Sequence, residues 1–172
     1  MASPEERSAQ QWAAIIALLQ AQVGAGKMLP TVADVRASID LWTGNVPAVG
    51  VQLQSVRADQ VYTKGVKSTA EFVILAATRS VTDIISPTQT TPPNLDDAMS
   101  QVQAIVNDGN GNGITQILRL RANQTLGGLC STVLITGVDY SWEIDRGATG
   151  SDQVWAYALI KFSVIDFLNT SI

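Results

Sequence analysis

Histidine is missing from this 172-residue chain altogether, and cysteine occurs once, at Cys130. Without histidine there is no Ser-His-Asp or Cys-His nucleophilic site, and no side chain whose ordinary pKa lies near neutrality. Zinc and redox-metal sites lose nearly all their usual ligands, and no internal disulfide is possible. Cys130 opens an apolar strand pattern with no activating neighbour in sequence, so it reads as a small buried hydrophobe.

Charge is scarce as well. Charged residues make up 15% of the chain, against roughly 25% in a typical soluble domain. Ser, Thr, Gln, Asn and Gly fill the gap. Such a surface is easier to bury against other copies, because fewer ions must be desolvated; it also suits an ordinary uncharged polar protein. The net charge of −4 argues against tight nucleic-acid binding, which rests on Lys and Arg neutralising phosphates. It is compatible with a protein that DNA slides past. No apolar run approaches membrane-spanning length, and Met1-Ala2-Ser3-Pro4-Glu5-Glu6 has no basic region of the signal-peptide kind. The expectation is a single soluble domain over residues 1–172, made in the cytosol, long enough to bury roughly two thirds of its surface.

What is present is well punctuated. Ser3-Pro4-Glu5-Glu6 is a helix start with a capping box, and Trp12, Ile15, Ile16, Leu19 and Val23 follow at helical spacing until Gly24-Ala25-Gly26. A second, shorter helix is expected from Thr31, with Asp34 as box partner and Val32, Val35 and Ile39 on its face. Val49 to Gln54 alternates as a half-buried strand, and Glu71 to Ala77 is apolar on both faces, which places it centrally in a sheet. Arg57 to Ser68 between them is a hairpin extension or a long loop. Pro87 to Asn94 is a polar loop. Asn94 is expected to cap a helix with Leu95, Met99, Val102 and Val106 on its face. The run Asn107 to Gly113 breaks it, and a short helix follows over Ile114 to Ala122. Two alternating strands close the chain. One has Thr132, Leu134, Thr136, Val138 and Tyr140 on one face and Val133 and Ile135 on the other; the second runs from Val154 to Val164. Arg146 to Gly150 joins them as a hairpin loop. This segregation predicts an α+β fold: an antiparallel sheet of about four or more strands with helices packed on one face.

Several patterns imitate chemistry. Gly24-Ala25-Gly26-Lys27 lacks the first glycine of a phosphate loop, puts Met28 where Ser or Thr should bind magnesium, and follows a helix instead of a strand; it reads as a helix C-cap. Asp108 to Gly113 has oxygen side chains at positions one, three and five and glycine at six, as a calcium loop does, but Arg119 stands where a bidentate Glu is required. It reads as a surface loop. Asp139, Glu143 and Asp145 share one alternating face. A carboxylate-dependent hydrolase would need two such groups across a cleft in tuned environments; a solvated strand face is the simpler reading. Trp142, Trp155 and Tyr157 sit on alternating strand positions, as packing residues or as part of a partner surface.

The third quarter of the chain carries a likeness. Asn94 to Val106 is a helix with paired acids, followed by a loop and Ile114-Thr115-Gln116-Ile117-Leu118-Arg119-Leu120-Arg121. Then come Thr125-Leu126-Gly127-Gly128-Leu129-Cys130-Ser131-Thr132-Val133 and two strands ending Leu159-Ile160-Lys161-Phe162-Ser163-Val164. This arrangement is similar to the tail-terminator (tail-completion) and minor tail proteins of long-tailed bacteriophages, over roughly the C-terminal half. The first forty-five residues and Arg57 to Ser68 are less typical and leave open another neck or head-completion subunit.

The resemblance implies assembly without catalysis or cofactors. It implies a homohexameric ring on the last layer of the tail tube, with the tail tube protein on one side and the head–tail connector or stopper on the other. The protein would be assembled in the bacterial cytoplasm and end in the virion tail or neck. A small ligand-binding α+β domain is a further reading, and would need a sizeable apolar pocket. Three polar stretches, Arg57–Ser68, Pro87–Asn94 and Asn107–Gly113, are long for a compact domain, and some of them, Arg57–Ser68 first, are expected to order only on contact with tube or neighbour. The candidate interface residues are Tyr62, Lys64 and Lys67 from the first, Asp108 and Asn110 from the third, and Trp142 and Trp155 from the closing strands.

Overall fold

The computed structural model describes residues 3–40, 45–62, 65–83, 94–146 and 151–169. The capping box forms as the sequence predicts. Ser3 Oγ accepts the Glu6 N–H, Glu6 Oε2 accepts the Ser3 N–H at 2.8 Å, and Pro4 opens helix α1, Pro4–Ala21. Ile15 and Leu19 are fully buried on its inner face. Ser8 and Gln11 share that face because each has a partner: Ser8 Oγ donates to the Glu5 carbonyl and Gln11 Nε2 to the Leu129 carbonyl. Past the helix end, Lys27 Nζ donates to the Ala21 carbonyl at 2.9 Å. The residues that imitate a phosphate loop thus cap a helix C-terminus, where a cation meets the negative end of the dipole.

The chain continues through β1 (Asp34–Arg36), β2 (Ala48–Tyr62), β3 (Gly65–Asp83), α2 (Leu95–Val106), α3 (Ile114–Arg119), a 3-10 turn (Leu126–Gly128), β4 (Thr132–Arg146) and β5 (Ser151–Asn169). The strands form one sheet in the order β1-β2-β3-β5-β4. The four long strands are antiparallel to their neighbours, and β1 adds to β2 in parallel. The fold is α+β, as expected, and β1 makes the sheet mixed. Glu71 to Ala77 lies in β3, the middle strand, as its two apolar faces require.

Register assigns the two faces. Val49, Val51, Phe72, Ile74, Ala156, Ala158, Ile160, Phe162 and Val133 form one core with Ile15, Leu19, Val102, Ile105, Ile114 and Ile117, so all three helices lie on one side. Phe72 and Phe162 stack at its centre with ring centroids 5.4 Å apart, a contact worth about 0.5–1.5 kcal/mol beyond area burial. Among the described residues the opposite face is covered only in part. Ile39 and Val46 pack there against Ala48, Leu75, Ala77, Tyr157 and Leu159. Strand length explains the rest. β3 and β5 are each 19 residues, about 60 Å at a strand's rise, whereas the 18 residues of α1 span only about 27 Å. α1 alone is too short to cover the strands along their whole length.

Four expectations are corrected. The helix from Thr31 does not form: Asp34–Arg36 is a strand, and the Ala33 N–H donates to the Pro47 carbonyl at 2.7 Å. Val32 and Val35 reach the core from extended backbone. A helix this short, with Thr31, Val32, Val35 and Ile39 all β-branched, gains little on its own, while the free edge of β2 offers backbone partners. Asp34 pairs with Arg36 at 2.6 Å instead of completing a cap. In β4 a bulge at Thr136 changes the register between Ile135 and Gly137. Val138 and Tyr140 therefore share the helix side with Val133 and Ile135, while Thr132 and Leu134 face the other way. An extra residue in one strand does this, because side chains alternate with period two.

Of the two readings of Arg57 to Ser68, the hairpin extension holds. Its described residues continue β2 and β3, paired from Arg57↔Thr69 to Tyr62↔Gly65. Asn94 precedes α2 without capping it through its side chain, and the last predicted helix ends at Arg119 instead of Ala122. The Pro87–Asn94 loop up to residue 93 and the hairpin residues 147–150 lie outside the described residues. Among the described residues, no helix is long and apolar enough to cross a membrane.

Candidate protein-interaction surfaces

The Leu126-Gly127-Gly128-Leu129 turn is built by its glycines and held by α1. Gly127 and Gly128 have φ of 69° and 90°, a region that side chains with a Cβ avoid. A Cβ on either would meet nothing within 4 Å, so the pair serves the turn itself and not a close approach to the sheet. Arg7 Nη2 donates to the Gly128 carbonyl at 2.8 Å, and Arg7 Nε to Asp166 Oδ2 at 2.9 Å. Asp166 Oδ1 accepts the Phe167 N–H. Helix, turn and the end of β5 are thereby locked together, and Cys130 is enclosed beneath them. Burial, and secondarily the Asp166 charge, pushes its thiol up to about 11, so it is not a reactive thiol at neutral pH.

Beyond this lock, β4 has not yet begun. Its first residue, Thr132, pairs with Ile165, while β2, β3 and β5 run on to Tyr62, Gly65 and Asn169 as a three-stranded tip. On the side away from the helices the tip carries Arg57, Asp59, Lys67, Thr69 and Phe167. Phe167 is 51% exposed. Ser55, Arg57, Asp59, Lys67, Thr69 and Glu71 line a hollow of about 230 Å³. Glu71 accepts from Ser163 Oγ at 2.9 Å. Among the described residues, Arg57 and Lys67 make no ion pair or side-chain hydrogen bond.

The predicted interface residues separate. Lys67 is on the tip, half-buried beside Phe167. Tyr62 is at the end of β2, its side chain outside the described residues, as is all of Lys64. Asp108 and Asn110 lie on the other side of the molecule's sequence, in the turn after α2. There Asp108 Oδ1 accepts the N–H groups of Asn110 and Asn112, and Oδ2 the Asn112 side-chain amide at 2.7 Å. These bonds hold the Asp108 carboxyl below its ordinary range. They also employ the oxygens that a calcium loop would turn on its ion.

The two tryptophans are on opposite faces. Trp155 is 3% exposed, with the Arg79 guanidinium 5.7 Å over its ring, so it serves packing and is not exposed surface. Trp142 remains 39% exposed on the helix side of β4, next to Tyr140 at 42%. Phe167, Arg57 and Tyr140 were missed; the signal for Phe167 was the alternation Lys161, Ser163, Ile165, Phe167, which runs past the expected end of the strand.

The chain matches no protein-family model and no curated protein sequence. Chemistry on this sheet therefore rests on its own geometry. Asp139, Glu143 and Asp145 do share the face away from the helices, in register with Leu159, Trp155 and Gln153. Asp139 is paired with Lys161 at 2.7 Å, both side chains more than half exposed. Glu143 and Asp145 border an open hollow of about 440 Å³ with Ile144, Gln153 and Trp155. The three carboxylates stand in a row on one strand, where a glycosidase sets its pair across a scissile bond. Among the described residues no group of three His, Cys, Asp or Glu is placed to hold a metal ion.

Proposed function

We propose that this protein is a structural subunit of a long-tailed bacteriophage virion: a tail terminator that closes into a ring, caps the tail tube and joins it to the neck connector. The three-stranded tip carries the reading. A monomer gains nothing from leaving, on the face of the tip away from its helices, an exposed phenylalanine and two cations unpaired among the described residues, whereas a neighbouring subunit supplies apolar cover and counter-charge for them. Ring closure needs a heterologous contact, one patch meeting a different patch of the next copy, and the tip meets that need on one side. The likeness of the helix, Leu-Gly-Gly-Leu turn and closing strands to tail terminators adds the kind of ring. The protein has no catalytic role in this account.

The test is Phe167→Asp, which removes the exposed ring without entering the core. Its thermal stability stays near that of the parent while ring formation and tube capping are lost. Normal capping by Phe167→Asp would refute the tip as the contact. A ring that binds portal-side proteins but ignores tail tubes would instead make the chain a neck subunit.

A further inference from the structure

From the open edge of β4 we infer a docking site for an extended segment of another protein, one whose side chains alternate between apolar and basic. The inference stands on β4 alone and does not depend on the ring. Strand β4 ends the sheet: β5 pairs with one side, and among the described residues nothing pairs with the other. Asp139, Tyr140, Ser141, Trp142 and Glu143 are exposed one after another. Beyond the bulge at Thr136, the described part of this edge has no lysine, proline or further bulge; its guard is the carboxylate row alone, which repels indiscriminate pairing and admits a cationic strand. It presents unused backbone donors and acceptors to whatever adds as a sixth strand.

The two side-chain rows define the occupant. On the helix side, α2 packs over β3 and β5 and its first turn covers Ile144. Tyr140 and Trp142 are left as a half-open aromatic shelf beside it. Burial already raises the Tyr140 hydroxyl's pKa. On the other side stand Asp139, Glu143 and Asp145, of which, among the described residues, only Asp139 has a cation at hand. An added strand puts alternate residues on the two rows: apolar groups on Tyr140 and Trp142, cations on the carboxylates.

This charge row also tells against a second copy of the chain. Two β4 edges paired about a dyad would set carboxylates against carboxylates, and like charges across strands destabilise. The open part of β2 offers Ser55, Arg57 and Asp59 on the corresponding face, one cation next to one anion. Neither supplies alternating positive charge, so the occupant is a different protein.

The probe is a labelled synthetic peptide of about ten residues alternating valine and lysine, a length that matches the exposed part of the edge. Its controls are a blocked peptide of the same composition and a valine–glutamate version. The readouts are fluorescence anisotropy at low and high salt, and amide exchange along β4. The alternating lysine peptide should bind, weaken with salt and protect amides in Val138–Ile144; the blocked peptide should bind about tenfold or more weakly, since charge without alternation cannot fill both rows. Glu143→Lys with Asp145→Lys, both exposed changes, should lose the lysine peptide and gain the glutamate one. Equal binding of alternating and blocked peptides would overturn the proposal, as would protection at β2 instead of β4 or indifference to the charge exchange. Protection of β4 that rises with protein concentration alone would give the edge to a second copy and overturn it too.

Discussion

Adding a methyl group at Gly50 should unseat the only described cover on the sheet face away from the helices. Gly50 pairs with Leu75 on that face, and the chain after β1 crosses directly over it. A Cβ built there lies 2.0 Å from the Ser38 carbonyl oxygen and 2.9 Å from its carbon. Both are backbone atoms, so no side-chain rotation relieves the clash, and residues 38–39 must move by more than 1 Å to reach ordinary contact, roughly 3.4 Å between such atoms. Overpacking of this kind costs about 1–3 kcal/mol. If the strap lifts, Ile39 and Val46 also lose part of their contact with Ala48, Leu75 and Leu159. For half-buried side chains that is about 1 kcal/mol more.

Gly50→Ala is thus expected to destabilise by about 2–4 kcal/mol, a shift of about 1–2 M in urea midpoint at an ordinary denaturant slope. Gly137→Ala is the matched control, since its Cβ would meet nothing within 4 Å, and it should be neutral or slightly stabilising because glycine weakens strands. Urea titration of both variants decides. Equal midpoints for the two would show that the strap does not rest on Gly50, and the account of that face would fail.

Three further outcomes follow from the geometry. Trp155→Ala empties a buried site and should cost about 3–5 kcal/mol, while Trp142→Ala on the exposed shelf should cost under about 1 kcal/mol; thermal unfolding separates them. Cys130→Ser keeps a donor for the Gln124 carbonyl, 3.4 Å away in the parent, and should cost about 1 kcal/mol for a buried hydroxyl. The parent thiol should react with a disulfide reagent only on unfolding. The Asp108 carboxyl is held below its ordinary value of 3.8 by the loop's N–H groups, so its contribution to the loop is complete above that value and lost as pH falls through the lowered one. Amide signals of Asn110 and Asn112 should be constant from neutral pH down to the ordinary Asp range and move only below it; movement near neutrality would contradict the hydrogen-bond scheme.

The elements with regular periods were legible in the sequence. Ser3 to Glu6 wrote the start of α1, Glu71 to Ala77 wrote the central strand, and Leu95 to Val106 wrote α2. The failures share a cause: each turns on a partner distant in sequence. Asp34–Arg36 becomes a strand because β2 has a free edge, which no local pattern announces. The bulge at Thr136 reverses the faces of β4 for one residue's worth of slip, and Thr, Val and Tyr on either side give no sign of it. Arg57 to Ser68 could be read as a hairpin extension or a loop because its polar residues lie on a strand face with little cover among the described residues, where the alternation that marks a half-buried strand fades. For the surfaces, Lys67 and Trp142 were placed near what the structure exposes, but Trp155 was not. Arg79, its partner across the β3–β5 ladder, lies over its ring.

Ring closure is the central claim, and the mass of the protein in solution tests it most directly. Sedimentation velocity of the full chain, alone and with purified tail tube protein, should show a closed assembly of about six copies under at least one condition, six being the order of the ring that the tail-terminator resemblance implies. A species that stays monomeric in both, at concentrations well above those of assembly, would contradict the account.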